Sequence, residues 1–224
     1  MSPPTPRAAE SLMLQGPVGE LEARVDFPAG GAGMGPGTDP GAPAAYAVVC
    51  HPHPLFGGTL TNKVVHTLAR AFTDFGMPSL RFNFRGVGMS AGTHDEGRGE
   101  VQDALAAVRY CRERWPHARL WLAGFSFGAA VAVRASSEAK PVGLIAVAPA
   151  VDRLDIATVV PASPWLVLLG DADEVVSPRR MLEWAQRLRP APVTQVLAGA
   201  GHYFHGRLPE LQERVTAFLN QRPE

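Results

Sequence analysis

Ser126, His202 and an aspartate between them, Asp171 or Asp173, are the residues of this sequence whose types could work together as nucleophile, base and orienting acid. A serine hydroxyl is a weak nucleophile until a neighbouring base takes its proton, and that base needs a carboxylate to fix its tautomer. Ser126 sits in Gly124-Phe125-Ser126-Phe127-Gly128, directly after the apolar run LWLAGF. The run PWLVLLG leads into Asp171-Ala-Asp173-Glu-Val-Val, and VTQVL leads into Gly199-Ala-Gly-His202-Tyr-Phe-His205. Each candidate therefore follows a different apolar run. A Gly/Ser match also arises by chance in a glycine-rich chain. The run before it and the two partners downstream argue against chance.

The elements around these residues predict how they meet. AVVC (47–50) is continuously apolar, as a strand buried on both faces should be, and further strands read at SLRFNF (79–84), LWLAGF (120–125), GLIAVA (143–148), PWLVLLG (164–170) and VTQVL (193–197). Between them lie helical stripes. Val65, Leu68, Phe72 and Phe75 form one, and Val101, Leu105, Val108, Cys111 and Trp115 a second. A small-residue helix follows Phe127, Leu182, Ala185 and Leu188 mark another, and Leu208, Leu211, Val215 and Leu219 the last. LMLQ and LEARVDF, on either side of Gly16-Pro-Val-Gly19, read as a hairpin. The alternation predicts an α/β fold: a mostly parallel central sheet of about seven to eight strands with helices on both faces. In such a sheet the chemistry gathers at the carboxyl ends of the strands.

Composition narrows the class. The 224 residues suit a single domain, 1–224, with a mobile Gly/Pro-rich loop at 28–45. Twenty-one basic residues balance 21 acidic ones, which removes the electrostatic reason to expect a nucleic-acid or membrane partner. The amino end has no apolar leader and no run approaches a membrane span, so a soluble cytoplasmic protein is the expectation. Cys50 and Cys111 are too few for a disulfide framework. His51 and His53 fall short of a metal ligand set, and neither metal nor cofactor is expected.

GFSFG, GDADEVV, GAGHYFHG, RGVGMSAG and HPHPLFGG together resemble the α/β-hydrolase superfamily, specifically its small lidless bacterial members akin to dienelactone hydrolases and prolyl-peptidase-like domains. The resemblance covers about residues 45–222. It implies a triad of Ser126, Asp173 and His202, and a serine hydrolase cleaving small esters or thioesters through an acyl-enzyme. It places the acid three residues after the strand's final glycine, at Asp173 rather than Asp171. A minority of such enzymes keep it after the preceding strand, where Asp152 and Asp155 stand.

Acyl chemistry also needs donors for the oxyanion. The Phe127 N–H, at a helix amino end, is one. The family takes the second from a His-Gly loop, and here His51-Pro52-His53-Pro54-Leu55-Phe56 carries prolines, which have no N–H. Leu55 is the expected second donor, with Phe56 behind it. Phe56, Phe125 and Tyr203 are the expected substrate-binding side chains, with Phe127 and Phe204 beside them. Gly86-Val-Gly88-Met-Ser-Ala91 fits a dinucleotide pattern, but no helix opens there, so Arg85 to Ser90 reads as a structural turn. Asp95, Glu96, Glu100 and Asp103 read as acids offsetting a helix dipole. The gap between the runs ending at Ala148 and starting at Pro164 holds about fifteen residues, too few for a helical lid. The alternatives are a non-catalytic binding protein on the same scaffold, or an acyltransferase or peptidase using the same triad.

Overall fold

The structure, a computed structural model, describes residues 8–30 and 41–221; residues 31–40 of the expected mobile loop lie outside it. β1 (Ala9–Gly16) and β2 (Gly19–Asp26) pair as the expected hairpin. In β2 only Leu21, Ala23 and Val25 turn fully inward, the alternation of a strand with one solvated face. The remaining strands are β3 (Ala45–Cys50), β4 (Ser79–Phe82), β5 (Arg119–Phe125), β6 (Gly143–Val147), β7 (Trp165–Gly170) and β8 (Val193–Leu197). Every residue of β3, β4, β6 and β7 is buried, which demands cover on both faces.

That cover comes from α1 (Lys63–Asp74), α2 (Arg98–Arg114), α3 (Phe127–Ala139), α4 (Pro178–Arg187) and α5 (Leu208–Asn220). α1 packs beside α5 and α2 beside α3. Trp121 of β5 joins the first pair, meeting Phe72 of α1 and Phe218 of α5. Sheet order is β1-β2-β4-β3-β5-β6-β7-β8, with β2 antiparallel to β1 and β4 and the other pairs parallel. Among the described residues no helix is long and apolar enough to cross a membrane.

Two elements depart from the sequence reading for local reasons. β4 ends at Phe82, because the Asn83 N–H goes to the Glu22 carbonyl (2.8 Å) and the Phe84 N–H to His51 Nε2 (3.0 Å). Asp103 does more than offset a dipole. Its two oxygens take the Arg85 side chain from Nε (2.9 Å) and Nη2 (2.8 Å), and Oδ2 also takes the Arg85 backbone N–H (3.0 Å). Glu100 does cap α2, accepting the Gly97 N–H at 2.8 Å, while its other oxygen takes the Asp95 N–H and His94 Nδ1. The turn from Arg85 is thus a structural clamp.

All six parallel strands deliver their loops to one edge. The stretch between β6 and β7 contains no helix. It is tied down by the buried Ile156, whose carbonyl accepts from Trp184 Nε1 (3.1 Å). Nothing inserted there roofs the loops that follow β3, β5, β7 and β8.

Candidate active site

The turn from β5 into α3 is sharp. Ser126 adopts φ 56°, ψ −118°, a region that side chains avoid, and Phe127 is already the first residue of α3. The turn closes because both flanking residues are glycine. A Cβ at Gly124 would stand 2.3 Å from the Gly128 carbonyl oxygen, and one at Gly128 2.2 Å from that of His51. The Ser126 N–H is held by the Val147 carbonyl at 2.8 Å. The hydroxyl is left at the edge of the sheet.

There it meets His202, with Oγ 3.0 Å from Nε2. His202 Nδ1 lies 2.7 Å from Asp173 Oδ2. Asp173 Oδ1 accepts two backbone N–H groups, from Val175 and Val176, each at 2.8 Å. A carboxylate so placed only accepts, so Nδ1 carries the imidazole hydrogen and Nε2 is free to accept the serine proton. Glu174 Oε2 accepts the His202 backbone N–H at 3.1 Å, and Asp171 Oδ1 accepts the Gly199 N–H at 2.6 Å. Both bonds tie the loop after β7 to the loop after β8. Asp171 therefore bridges the loops instead of forming its own local turn. Asp152 and Asp155 are exposed and face Arg180 (2.9 Å) and Arg134 (3.8 Å), away from the imidazole.

The loop after β3 forms the opposite wall. His51 is fully buried; Nδ1 donates to the Pro52 carbonyl (2.6 Å) and Nε2 accepts the Phe84 N–H (3.0 Å). Burial lowers its pKa to about 4, so the ring is neutral and both nitrogens are occupied. His53 caps the short 3-10 turn Pro54–Phe56 through Nδ1. This corrects the expected second oxyanion donor. The Leu55 N–H is already given to His53 Nδ1 (3.3 Å), and its side chain is 67% exposed, outside the cleft. The Phe56 N–H goes to the His53 carbonyl (3.1 Å). Among the described residues, the backbone N–H groups of Phe127 and His53 meet no protein acceptor, and both residues line the cleft with Ser126. Pro52 and Pro54 cannot donate, but the residue between them can, a point that a reading focused on the prolines passes over.

The cleft has a volume of about 350 Å³. Phe56, Phe127 and Tyr203 form parts of its wall, as expected. Phe125 does not: it is 0% exposed, and its ring lies under the His202 imidazole with centroids 5.0 Å apart. Strand alternation turns it into the core. Phe204 is likewise buried, and His205 stacks on Tyr203 at the rim. The sequence reading misses Asn62, Ala150, Arg153, Val175 and Val176. Only the two valines carried a signal, since they directly follow the candidate acid.

A mostly parallel sheet with an antiparallel hairpin at one edge, a serine on a strained strand-to-helix turn and an unroofed cleft defines an α/β-hydrolase without a lid. The family model for serine aminopeptidase, S33, matches residues 43–162. A protein of Rickettsia prowazekii, RP471, is 33% identical over 93% of this chain and 87% of its own. A lidless α/β serine hydrolase from Xanthomonas campestris, XC6422, superposes with TM-score 0.86 at 39% identity, covering 98% of this chain and 97% of that one. An α/β serine hydrolase homologue from Coxiella burnetii gives TM-score 0.84 at 42% identity over 94% and 97%. Esterase EstD of Thermotoga maritima is 26% identical over 72% of this chain but only 38% of its own length. The chain belongs to the S33 serine hydrolase family, among its small lidless α/β-hydrolases.

Proposed function

We propose that this protein hydrolyses small, soluble carboxylic esters or thioesters through an acyl-enzyme. The observation that carries the reading is the unbroken chain Ser126 Oγ, His202 Nε2, Nδ1, Asp173 Oδ2, at 3.0 and 2.7 Å. Ser126 Oγ attacks the carbonyl carbon while His202 takes its proton. The carbon–oxygen or carbon–sulfur bond then breaks, and His202 returns that proton to the leaving group. Water repeats the sequence to free the acid and restore Ser126. Asp173 holds the imidazole in the accepting tautomer and stabilises the imidazolium. The Phe127 and His53 N–H groups receive the oxyanion, the former with the favourable end of the α3 dipole.

One feature favours esters over the free-amine peptides that the family's aminopeptidase name suggests, and a second sets the acyl length. An α-ammonium would need a carboxylate to receive it, yet among the described residues no Asp or Glu lines the cleft and Arg153 does. With no lid, little apolar substrate surface can be buried, which favours short acyl groups over lipid chains.

The test is turnover of p-nitrophenyl esters from acetate to dodecanoate, alongside Ser126→Ala. Short-chain turnover should peak at or below octanoate and fall on the order of a million-fold in the variant. Turnover that survives Ser126→Ala, or rises steadily to dodecanoate, contradicts the reading.

A further inference from the structure

We infer that the ester this cleft accepts carries a carboxylate, and that Arg153 receives it. The inference rests on the esterase reading above and names its substrate class. Arg153 lies in the loop between β6 and β7 and, among the described residues, is the one permanently charged side chain lining the cleft. Its guanidinium stands over the Phe56 ring, 6.0 Å from the centroid, which keeps it at the cleft wall.

What surrounds Arg153 leaves its charge uncompensated. Its sequence neighbours Asp152 and Asp155 would be the obvious partners, but they face Arg180 and Arg134. Among the described residues no carboxylate lies within ion-pair distance of Arg153, and its side chain is exposed. Asp173 has both oxygens committed. Glu100 is fully buried and committed to Gly97, Asp95 and His94, and Glu96 points outward beside His94. The facing wall agrees: burial first, then His94 and Arg153, lower the His53 pKa against the opposing pull of Glu96 and Glu100. A planar guanidinium with free donors matches a carboxylate, and Phe56, Val175 and Val176 supply apolar wall for a short carbon spacer.

The experiment compares two substrate pairs. In the first the anion is on the acyl side: mono-p-nitrophenyl adipate against p-nitrophenyl heptanoate. In the second it is on the leaving group: 4-acetoxybenzoate against 4-acetoxybenzamide. In at least one pair the wild type should favour the carboxylate about fivefold in kcat/KM, chiefly through KM, as suits a solvent-facing charge pair. Added sodium chloride should shrink that ratio. Arg153→Met should bring the anionic-to-neutral ratio down about fivefold, and Arg153→Lys should restore part of it. A ratio unchanged by Arg153→Met in both pairs overturns the assignment while Ser126-dependent turnover of the neutral esters still upholds the esterase reading. Absence of any Ser126-dependent turnover overturns both.

Discussion

Two polar clusters stand at the carboxyl end of the sheet, and both are built around a buried aspartate. After β4, Asp103 takes the Arg85 side chain with both oxygens and the Arg85 backbone with one of them. After β5, β7 and β8, Asp173 takes two backbone N–H groups with one oxygen and His202 with the other. The first cluster closes on itself, and a Cβ on Gly99 would press into the guanidinium at 2.0 Å. The second ends in a hydroxyl that faces a cleft. Buried charge with every partner in place fixes a fold; the same materials left open at one end can pass a proton to something outside the protein.

The contrast breaks most sharply on the two aspartates. In Asp173→Asn the side-chain oxygen must still receive the Val175 and Val176 N–H groups, which turns the amide N–H toward His202 Nδ1. The imidazole is forced into the tautomer that cannot accept the serine proton. The kcat on p-nitrophenyl esters should fall about ten-thousand-fold with the thermal midpoint little changed. Steady-state kinetics beside calorimetry would check both halves.

Asp103→Asn should do the reverse. It strands the Arg85 charge in a buried site, and chemical denaturation should show a loss of about 3–5 kcal/mol. The kcat of the protein that remains folded should stay close to wild type. A large drop in kcat without loss of stability would merge the two clusters into one.

His51 sharpens the comparison from the side of pH. Its folded pKa, about 4, lies below the ordinary histidine value of about 6.5. The neutral ring fits the fold and the charged ring does not. Stability from this group is therefore complete above the unfolded pKa and declines as pH falls from there toward the folded value, by about 3 kcal/mol in all. Denaturation of wild type and His51→Gln across that range should show a shallower slope for the variant.

The smallest effect concerns the turn itself. Ser126→Gly removes a side chain from φ 56° and should be more stable than Ser126→Ala by about 1–3 kcal/mol, measured by denaturant titration of the two inactive variants. Equal stabilities would mean that the turn stores no strain.

Much of this was legible in the sequence because buried parallel strands announce themselves as apolar runs; Trp165–Gly170, buried throughout, falls one residue inside the run read at 164–170. Ser126, Asp173 and His202 were legible because each follows such a run. What sequence alone did not reveal depends on where single groups point. Leu55 and His53 both carry an N–H in the same loop, and only the turn geometry shows that His53 Nδ1 already occupies the Leu55 donor. Phe125 and Tyr203 are both aromatics beside the motif, but strand alternation sends one beneath the imidazole and leaves the other at the cleft. Arg153 gives no signal in sequence, because two acids beside it suggest a paired charge, and only their salt bridges elsewhere expose it.

The central claim is that the open end of the second cluster is an activated nucleophile, and a fluorophosphonate tests it directly. Such a reagent bonds through phosphorus to an activated serine oxygen and releases fluoride. Intact-protein mass spectrometry with peptide mapping should show one adduct on folded wild type, located on Ser126, with labelling abolished in Ser126→Ala and strongly slowed in His202→Ala. No adduct on the folded protein, or labelling at the same rate without His202, would contradict the account.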